Sequence, residues 1–436
     1  MAELSRSLTR TNATAMVAGT IIGASIFVQP SEIARHLDTP ASIVLTWAAC
    51  GLLTLFGAVV CAELASAFPE AGGVYVFLRN AFSPLAGFLW GWAMFWSVHS
   101  GIIAAIAVVF ARYAIVFLPE TLSADATTRV VAVLVILVLS AVNYVGVRSG
   151  SRLQTVLTIA KIAAIALLIV AGLLVPAATP TVATSVAAEG LSPYVLSIVA
   201  GLFAFGGWHM VTYTSAETTL PARTIPVALV AGVAIVTACY IGLNLVYMRL
   251  LPLDAVRSST RIAADAADVI LGRGGAQILS VLVLVSAAGS LTGIILTGPR
   301  MYFAMAQDGL APRGFAAVHP VHLTPSHAIV AQAVWASVLA ATGAYRQLFT
   351  RVVYTEWLFF ALMAAGLFVL RRRPDYRPAY HAFGYPLVPA FFIAASLFIV
   401  GNQALVDPRE SAIGLGLVAL GIPVYYYLRH AHRRLP

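Results

Sequence analysis

The sequence predicts an all-α polytopic membrane protein of twelve transmembrane helices, and three observations carry that prediction. Of its 436 residues, 60% are hydrophobic and only 10% are Asp, Glu, Lys or Arg, where a soluble globular protein carries about 25%. Apolar stretches recur along the whole chain, each long enough for a bilayer-spanning helix of roughly 20 residues. The charge between them is mostly arginine: 26 basic residues include a single lysine, and 17 acids leave a net +9. That excess does not read as a nucleic-acid surface, because the basic residues are sparse and the apolar runs between them are long.

Taken in order, segments bounded by charge, Pro or Gly cover 11–36, 41–68, 84–118, 129–147, 153–175, 192–220, 226–251, 275–305, 327–343, 352–371, 386–405 and 411–428. The first is longer than a signal-peptide core and has no small-residue cleavage site after it, so it reads as a permanent span. An even count puts both termini on one side. Placing them in the cytoplasm assigns fifteen arginines and six acids to inner ends and loops, and ten of each to the outer ends. The whole +9 then lies inside, as the positive-inside rule requires, while Lys161 and Glu356 cancel within the membrane. Cys50, Cys61 and Cys239 all sit in apolar runs and imply no disulfide framework.

Spans one and six look unsuited to an unbroken helix. The first contains Gly19-Thr20-Ile21-Ile22-Gly23-Ala24-Ser25 with Pro30 beyond it; the sixth contains Gly201-Leu202-Phe203-Ala204-Phe205-Gly206-Gly207. Small residues in membrane helices serve close packing as well as breaks. Their positions favour breaks, because spans 1–5 and 6–10 as inverted repeats would put the two in corresponding places, the sequence pointer to a transporter's substrate site.

The same segments carry a family resemblance. Gly19-Thr20-Ile21-Ile22-Gly23-Ala24-Ser25-Ile26-Phe27 resembles the G-T-I-I-G-S-G-I-F of the amino acid–polyamine–organocation superfamily, and Phe203-Ala204-Phe205-Gly206-Gly207-Trp208 is similar to the F-A-Y-G-G-W of its L-type amino acid transporter branch. Ala62-Glu63-Leu64-Ala65, Phe68-Pro69-Glu70-Ala71-Gly72-Gly73-Val74-Tyr75, Gly289-Ser290-Leu291-Thr292-Gly293 and Glu356-Trp357-Leu358-Phe359 follow in family order. The resemblance implies a leucine-transporter-type fold: one repeat over 11–176, a second over 192–371, and two peripheral helices over 386–428, all in one transport domain.

It also implies the substrate contacts. The α-carboxylate would meet N–H groups around Gly23, Ala24 and Ser25. The ammonium would meet carbonyls near Ile21, Ile22, Phe203, Ala204 and Gly206, with Phe205 beside them and Phe203 as the gate. A helix break supplies unpaired N–H groups on one half and unpaired C=O groups on the other, so a zwitterion needs no ionised side chain. The chain departs from the branch at Gly23-Ala24-Ser25, where Ser25 adds bulk and a hydroxyl, and at His209, where asparagine is usual.

Lys161 lies eight residues into span five. It either snorkels to the inner headgroups or, as the resemblance implies, stands in for a structural sodium by bridging a carbonyl near Gly19 to the Ser290 hydroxyl. In that second reading it is also the leading candidate for proton coupling, and sodium dependence is not expected. His99 and His209 are secondary coupling candidates, while Glu63, Glu217 and Glu356 read as structural pairs near span ends. With no carboxylate in the pocket segments, a neutral substrate side chain is expected. His319, His322 and His327 fall in a proline-containing loop without cysteine or acid, so no metal site is expected. No P-loop or hydrolase motif is present, so neither a cofactor nor enzymatic activity is expected.

The expected function is sodium-independent secondary transport of neutral L-α-amino acids across the cytoplasmic membrane, by proton symport or by exchange. The expected partners are the amino acid, membrane lipids and, in the symport case, protons. Cationic amino acid or polyamine transport, a non-turnover sensor and a channel are the alternatives, and the sequence does not name an accessory subunit.

Overall fold

The break after the first helix follows from local chemistry at both of its ends. Helix α1 (Arg10–Ile21) opens with a closed capping box, in which the Thr9 hydroxyl accepts the Asn12 N–H and the Asn12 side chain accepts the Thr9 N–H. It stops at Ile21. The chain then passes through a 3₁₀ turn (Ser25–Phe27) into α2 (Gln29–Ala34), which has Pro30 in its first turn. The computed structural model describes residues 4–23, 25–117, 124–176, 192–259, 261–272, 274–343 and 345–433.

Helix α3 (Pro40–Ala67) is capped by Thr39, and a short α4 (Val74–Ala81) follows. Next, α5 (Pro84–Ala93), capped by Ser83, continues through a π-helical turn (Met94–Val98) into α6 (His99–Ala114). Helices α7 (Ala124–Val145) and α8 (Val147–Leu174) come next, then α9 (Ser192–Ala204). Beyond α9 the chain turns and runs as a 3₁₀ helix over Trp208–Glu217. The remaining helices are α10 (Pro221–Leu250), α11 (Leu253–Ser258), α12 (Ile262–Leu271), α13 (Gly275–Gln307), α14 (Ser326–Thr342), α15 (Tyr345–Leu370), α16 (Leu387–Val406), α17 (Pro408–Ala419) and α18 (Gly421–Arg433). Among the described residues nine helical stretches are long and apolar enough to cross a bilayer, and two shorter apolar ones cover Ser326–Thr342 and Tyr354–Leu370. The protein is a multi-pass membrane protein.

Ten residues is long for a 3₁₀ segment, and its own hydroxyls account for it. Thr212 donates to the His209 carbonyl (2.7 Å), Thr214 to Val211 (2.8 Å) and Ser215 to Thr212 (2.7 Å), each three residues back. These bonds compete with the α-helical ladder and hold the tighter turn. The glycines divide between the two roles the sequence offered them. A Cβ at Gly19 would lie 2.1 Å from the Gln154 amide, and one at Gly201 2.6 Å from the Cys50 thiol, so these two serve packing. Gly207 has φ +94° and makes the turn that ends α9.

The breaks sit at the centre of the bundle. Helix α1 packs against α8, α10 and α13, while α3 lies along α10 and α9 packs on α2 and α3. The end that gathers the C-termini of α3, α13 and α15 is tied by ion pairs. Arg300 makes a bidentate pair with Glu217 (2.7 and 3.1 Å), both side chains fully buried. Arg371 does the same with Glu63 (2.8 and 2.5 Å), which also accepts the Ala382 N–H. Arg79 bridges Asp308 and Glu70. The N-terminal segment docks here too, the Ser7 and Leu8 N–H groups donating to the Glu217 carbonyl and Thr219 N–H to Leu8.

Candidate functional site

A cavity of about 410 Å³ opens between the two breaks. Of the residues expected from the sequence, Ile21, Gly23, Ser25, Phe203, Phe205 and Gly206 line it, and Phe203 is 44% exposed. Ile22, Ala204, Gly19, Lys161, Ser290, His99 and His209 are not in its wall, and Ala24 lies outside the described residues. The rest of the wall is mainly apolar and aromatic, with Trp208, Trp357 and Phe360 along one side and Ile102, Ile106 and Val109 of α6 along another.

The backbone at the breaks is less open than the sequence suggested. The Ile21 carbonyl already accepts the Gly23 N–H (2.8 Å) and the Tyr240 hydroxyl (3.1 Å). The Ile22 carbonyl accepts from Lys161, Ser286 and Ser290. An oxygen with two lone pairs has nothing further to offer, so Ile21 and Ile22 are saturated. Two hydroxyls also link the breaks. Tyr240 of α10 lies 3.1 Å from both the Ile21 and the Ala204 carbonyl, and the Thr20 hydroxyl lies 3.1 Å from the Gly207 carbonyl and 2.8 Å from Met16 O of its own helix. Neither residue was visible as a site residue in the sequence, because each acts through a contact far away along the chain.

Lys161 is fully buried, so the snorkelling alternative does not apply. Its ammonium meets four oxygens: Gly19 O (2.8 Å), Ile22 O (2.5 Å), Ser286 O (3.3 Å) and Ser290 Oγ (3.3 Å). Three N–H donors have four acceptors, so the charge is satisfied. Ser290 Oγ also lies 2.8 Å from Gly19 O, so its single proton is shared between the Gly19 and Ile22 carbonyls. Gly289 provides the room, since a Cβ there would come within 3.2 Å of Lys161 Nζ.

Glu356 corrects the sequence reading. Rather than forming a structural pair, it lines the cavity with Tyr354 and Trp357 and has no arginine or lysine partner among the described residues. Its Oε1 finds no hydrogen-bond partner and lies 3.8 Å from His209 Nε2. An isolated acid in an apolar run was the signal; which way it faced was decided by how α15 packs. Glu63 and Glu217 are structural pairs, as read. Outside the spans, burial and then Asp308 push the Tyr75 hydroxyl above its ordinary value, and burial and then Glu63 do so for Tyr376. Among the described residues no three His, Cys, Asp or Glu side chains gather as metal ligands.

A helical membrane protein with an apolar cavity between two broken helices has the build of a small-molecule carrier. The chain belongs to the amino acid permease family, whose model matches residues 8–424. It is similar to the human cystine/glutamate transporter, 28% identical over 97% of this chain and 85% of that one. The serine/threonine exchanger SteT of Bacillus subtilis (strain 168) is 29% identical over 95% of this chain and 94% of its own. The large neutral amino acids transporter small subunit 2 of Oryctolagus cuniculus is 29% identical over 97% of this chain and 80% of its own.

Proposed function

We propose that the protein is a sodium-independent secondary transporter of neutral L-α-amino acids in the cell membrane, working by alternating access. It would do so with twelve spans, repeats over 11–176 and 192–371, peripheral helices over 386–428, and both termini cytoplasmic. The observation that carries the reading is the cavity bounded by Gly23 and Ser25 on one break and by Phe203, Gly206 and Gly207 on the other. The carboxylate takes the N–H groups of Ala24 and Ser25, since the Gly23 N–H is already given to the Ile21 carbonyl. With Ile21 and Ile22 saturated, the ammonium falls to the span-six carbonyls of Phe203 and Gly206. Phe203 is the gate. Sodium independence rests on Lys161, whose ammonium sits among the carbonyl and hydroxyl oxygens that a cation would need.

The absence of a carboxylate from the pocket no longer argues for a neutral side chain, since Glu356 is there. The apolar wall argues for it instead, and so do two relatives named for serine and threonine and for large neutral amino acids. A second reading, transport of a cationic amino acid or polyamine, draws on Glu356 beside the aromatic rings of Trp357, Tyr354 and Phe360. Counterflow of labelled amino acids in sodium-free proteoliposomes tests both. Neutral amino acids should compete, and decarboxylated or deaminated analogues should not. Equal transport of amines lacking a carboxylate would refute the zwitterion site, and preferential competition by lysine and arginine would select the second reading.

A further inference from the structure

Two of the buried ionisable sites near the breaks are handled in opposite ways. Lys161 is satisfied. Glu356 is 6% exposed and His209 fully buried, yet Glu356 Oε1 and both ring nitrogens of His209 find no hydrogen-bond partner in the protein. Their contact, 3.8 Å between Oε1 and Nε2, is just too long for a hydrogen bond and close enough for a small side-chain rotation to make one. An unpaired carboxylate at membrane depth costs several kcal/mol, and packing alone does not offset that cost.

The polar groups placed around the pair are aromatic, imidazole and thiol side chains. Trp90 of α5 and Tyr213 of the same 3₁₀ segment lie edge-on to the His209 ring, at centroid distances of 5.5 and 5.6 Å. From α6, His99 stands 5.7 Å from the Tyr213 ring and lies 3.5 Å from the Tyr302 hydroxyl of α13. Cys61 of α3 faces the same group. Among the described residues no arginine or lysine pairs with Glu356 or His209, so nothing fixed neutralises the carboxylate. A mobile charge must do so.

We propose that Glu356 and His209 together form the proton-binding site that couples amino acid movement to a proton gradient. This inference rests on the transporter reading and adds the coupling ion to it. The proton enters from cavity water onto the open edge of the Glu356 carboxylate and is shared with His209 Nε2, taking the pair from a net charge of −1 to zero. The same cavity wall holds the substrate, so an amino acid carboxylate and an apolar side chain both disfavour the charged form of Glu356, by repulsion and by exclusion of water. Substrate therefore raises proton affinity, and by reciprocity the proton raises substrate affinity. Glu356 belongs to α15 and His209 to the segment beyond the α9 break. A shared proton ties these two elements together, and its loss leaves a charge that favours rehydration and separation. That is the requirement for symport, in which the loaded and the empty site move but the half-loaded site does not.

The test uses the full chain in proteoliposomes with no internal amino acid, membrane potential clamped, and a labelled mixture of the proteinogenic L-amino acids outside. An inward proton gradient alone should drive accumulation, and an internal pH dye should report proton entry only when substrate is added. In Glu356→Gln, the isostere of the protonated acid, both signals should be lost, while counterflow remains measurable and no longer varies with pH. In His209→Asn the pH of half-maximal uptake should shift. Counterflow by the wild type with no gradient-driven accumulation would overturn the inference and leave the transporter reading standing. Absence of counterflow would remove both. Wild-type-like accumulation by Glu356→Gln would also overturn it, and if that variant fails to reach the membrane, an unshifted pH profile in His209→Asn overturns it instead.

Discussion

Lys161 and Glu356 are both ionisable side chains inside apolar helices, and the structure treats them differently. Around Lys161, α1 and α13 contribute four oxygens to three donors. Beside Glu356 an imidazole with no hydrogen-bond partner of its own lies 3.8 Å away. A saturated charge is a cross-link, because any change in its protonation or position costs hydrogen bonds. An unsaturated one is free to change state. The contrast moves proton coupling away from the lysine, the leading candidate in the sequence, and onto the glutamate and histidine.

The contrast is open to attack by substitution. The largest effect belongs to the most completely satisfied pair: Arg300→Ala strands the buried Glu217 and should cost about 3–5 kcal/mol. The measurement is the melting temperature of detergent-purified protein, with loss of expression as the extreme outcome. Lys161→Ala leaves Gly19 and Ile22 carbonyls short of donors; it should cost about 2 kcal/mol and abolish counterflow and gradient-driven uptake alike. Uptake still driven by protons at the wild-type rate would break the contrast.

Gly207→Ala forces a side chain onto φ +94°, at a cost of about 1–3 kcal/mol. Because the strain falls at the α9 break, the counterflow rate should drop more than the melting temperature does. Tyr240→Phe removes the hydroxyl between the Ile21 and Ala204 carbonyls, worth about 1 kcal/mol. Its readout is the substrate concentration for half-maximal counterflow, expected to rise if the two breaks are held in register by this residue. Smallest is Glu356→Gln, which should leave the melting temperature unchanged or slightly raised, since it removes an unpaired carboxylate. A clear loss of stability there would mean that Glu356 is a structural anchor after all.

Much of the site was legible in the sequence, because helix breaks are local events. Gly206 and Gly207 adjoin within one apolar run, and Pro30 follows the small residues of the first, so the stretches on either side were fixed by residues a few positions apart. Lys161 was legible for a different reason: a single lysine in an apolar chain draws attention by composition alone. What could not be read was occupancy. Whether the Ile22 carbonyl was free for a substrate depended on Ser286 and Ser290, more than two hundred residues away. Gly19 and Gly23 looked alike in the sequence, yet one packs against Gln154 and the other lines the cavity.

By itself, then, the sequence determined the membrane class, the places where two helices fail, and the rarity of buried charge. These follow from hydropathy and backbone propensity, which act over a few residues. The tertiary structure alone decided which carbonyls were already bonded, that Tyr240 and Thr20 link the two breaks, and that Glu356 turns into the cavity to face His209. Those depend on the rotation and contact of helices distant in the chain, and a period of 3.6 residues does not say which face of a nearly all-apolar helix meets which neighbour.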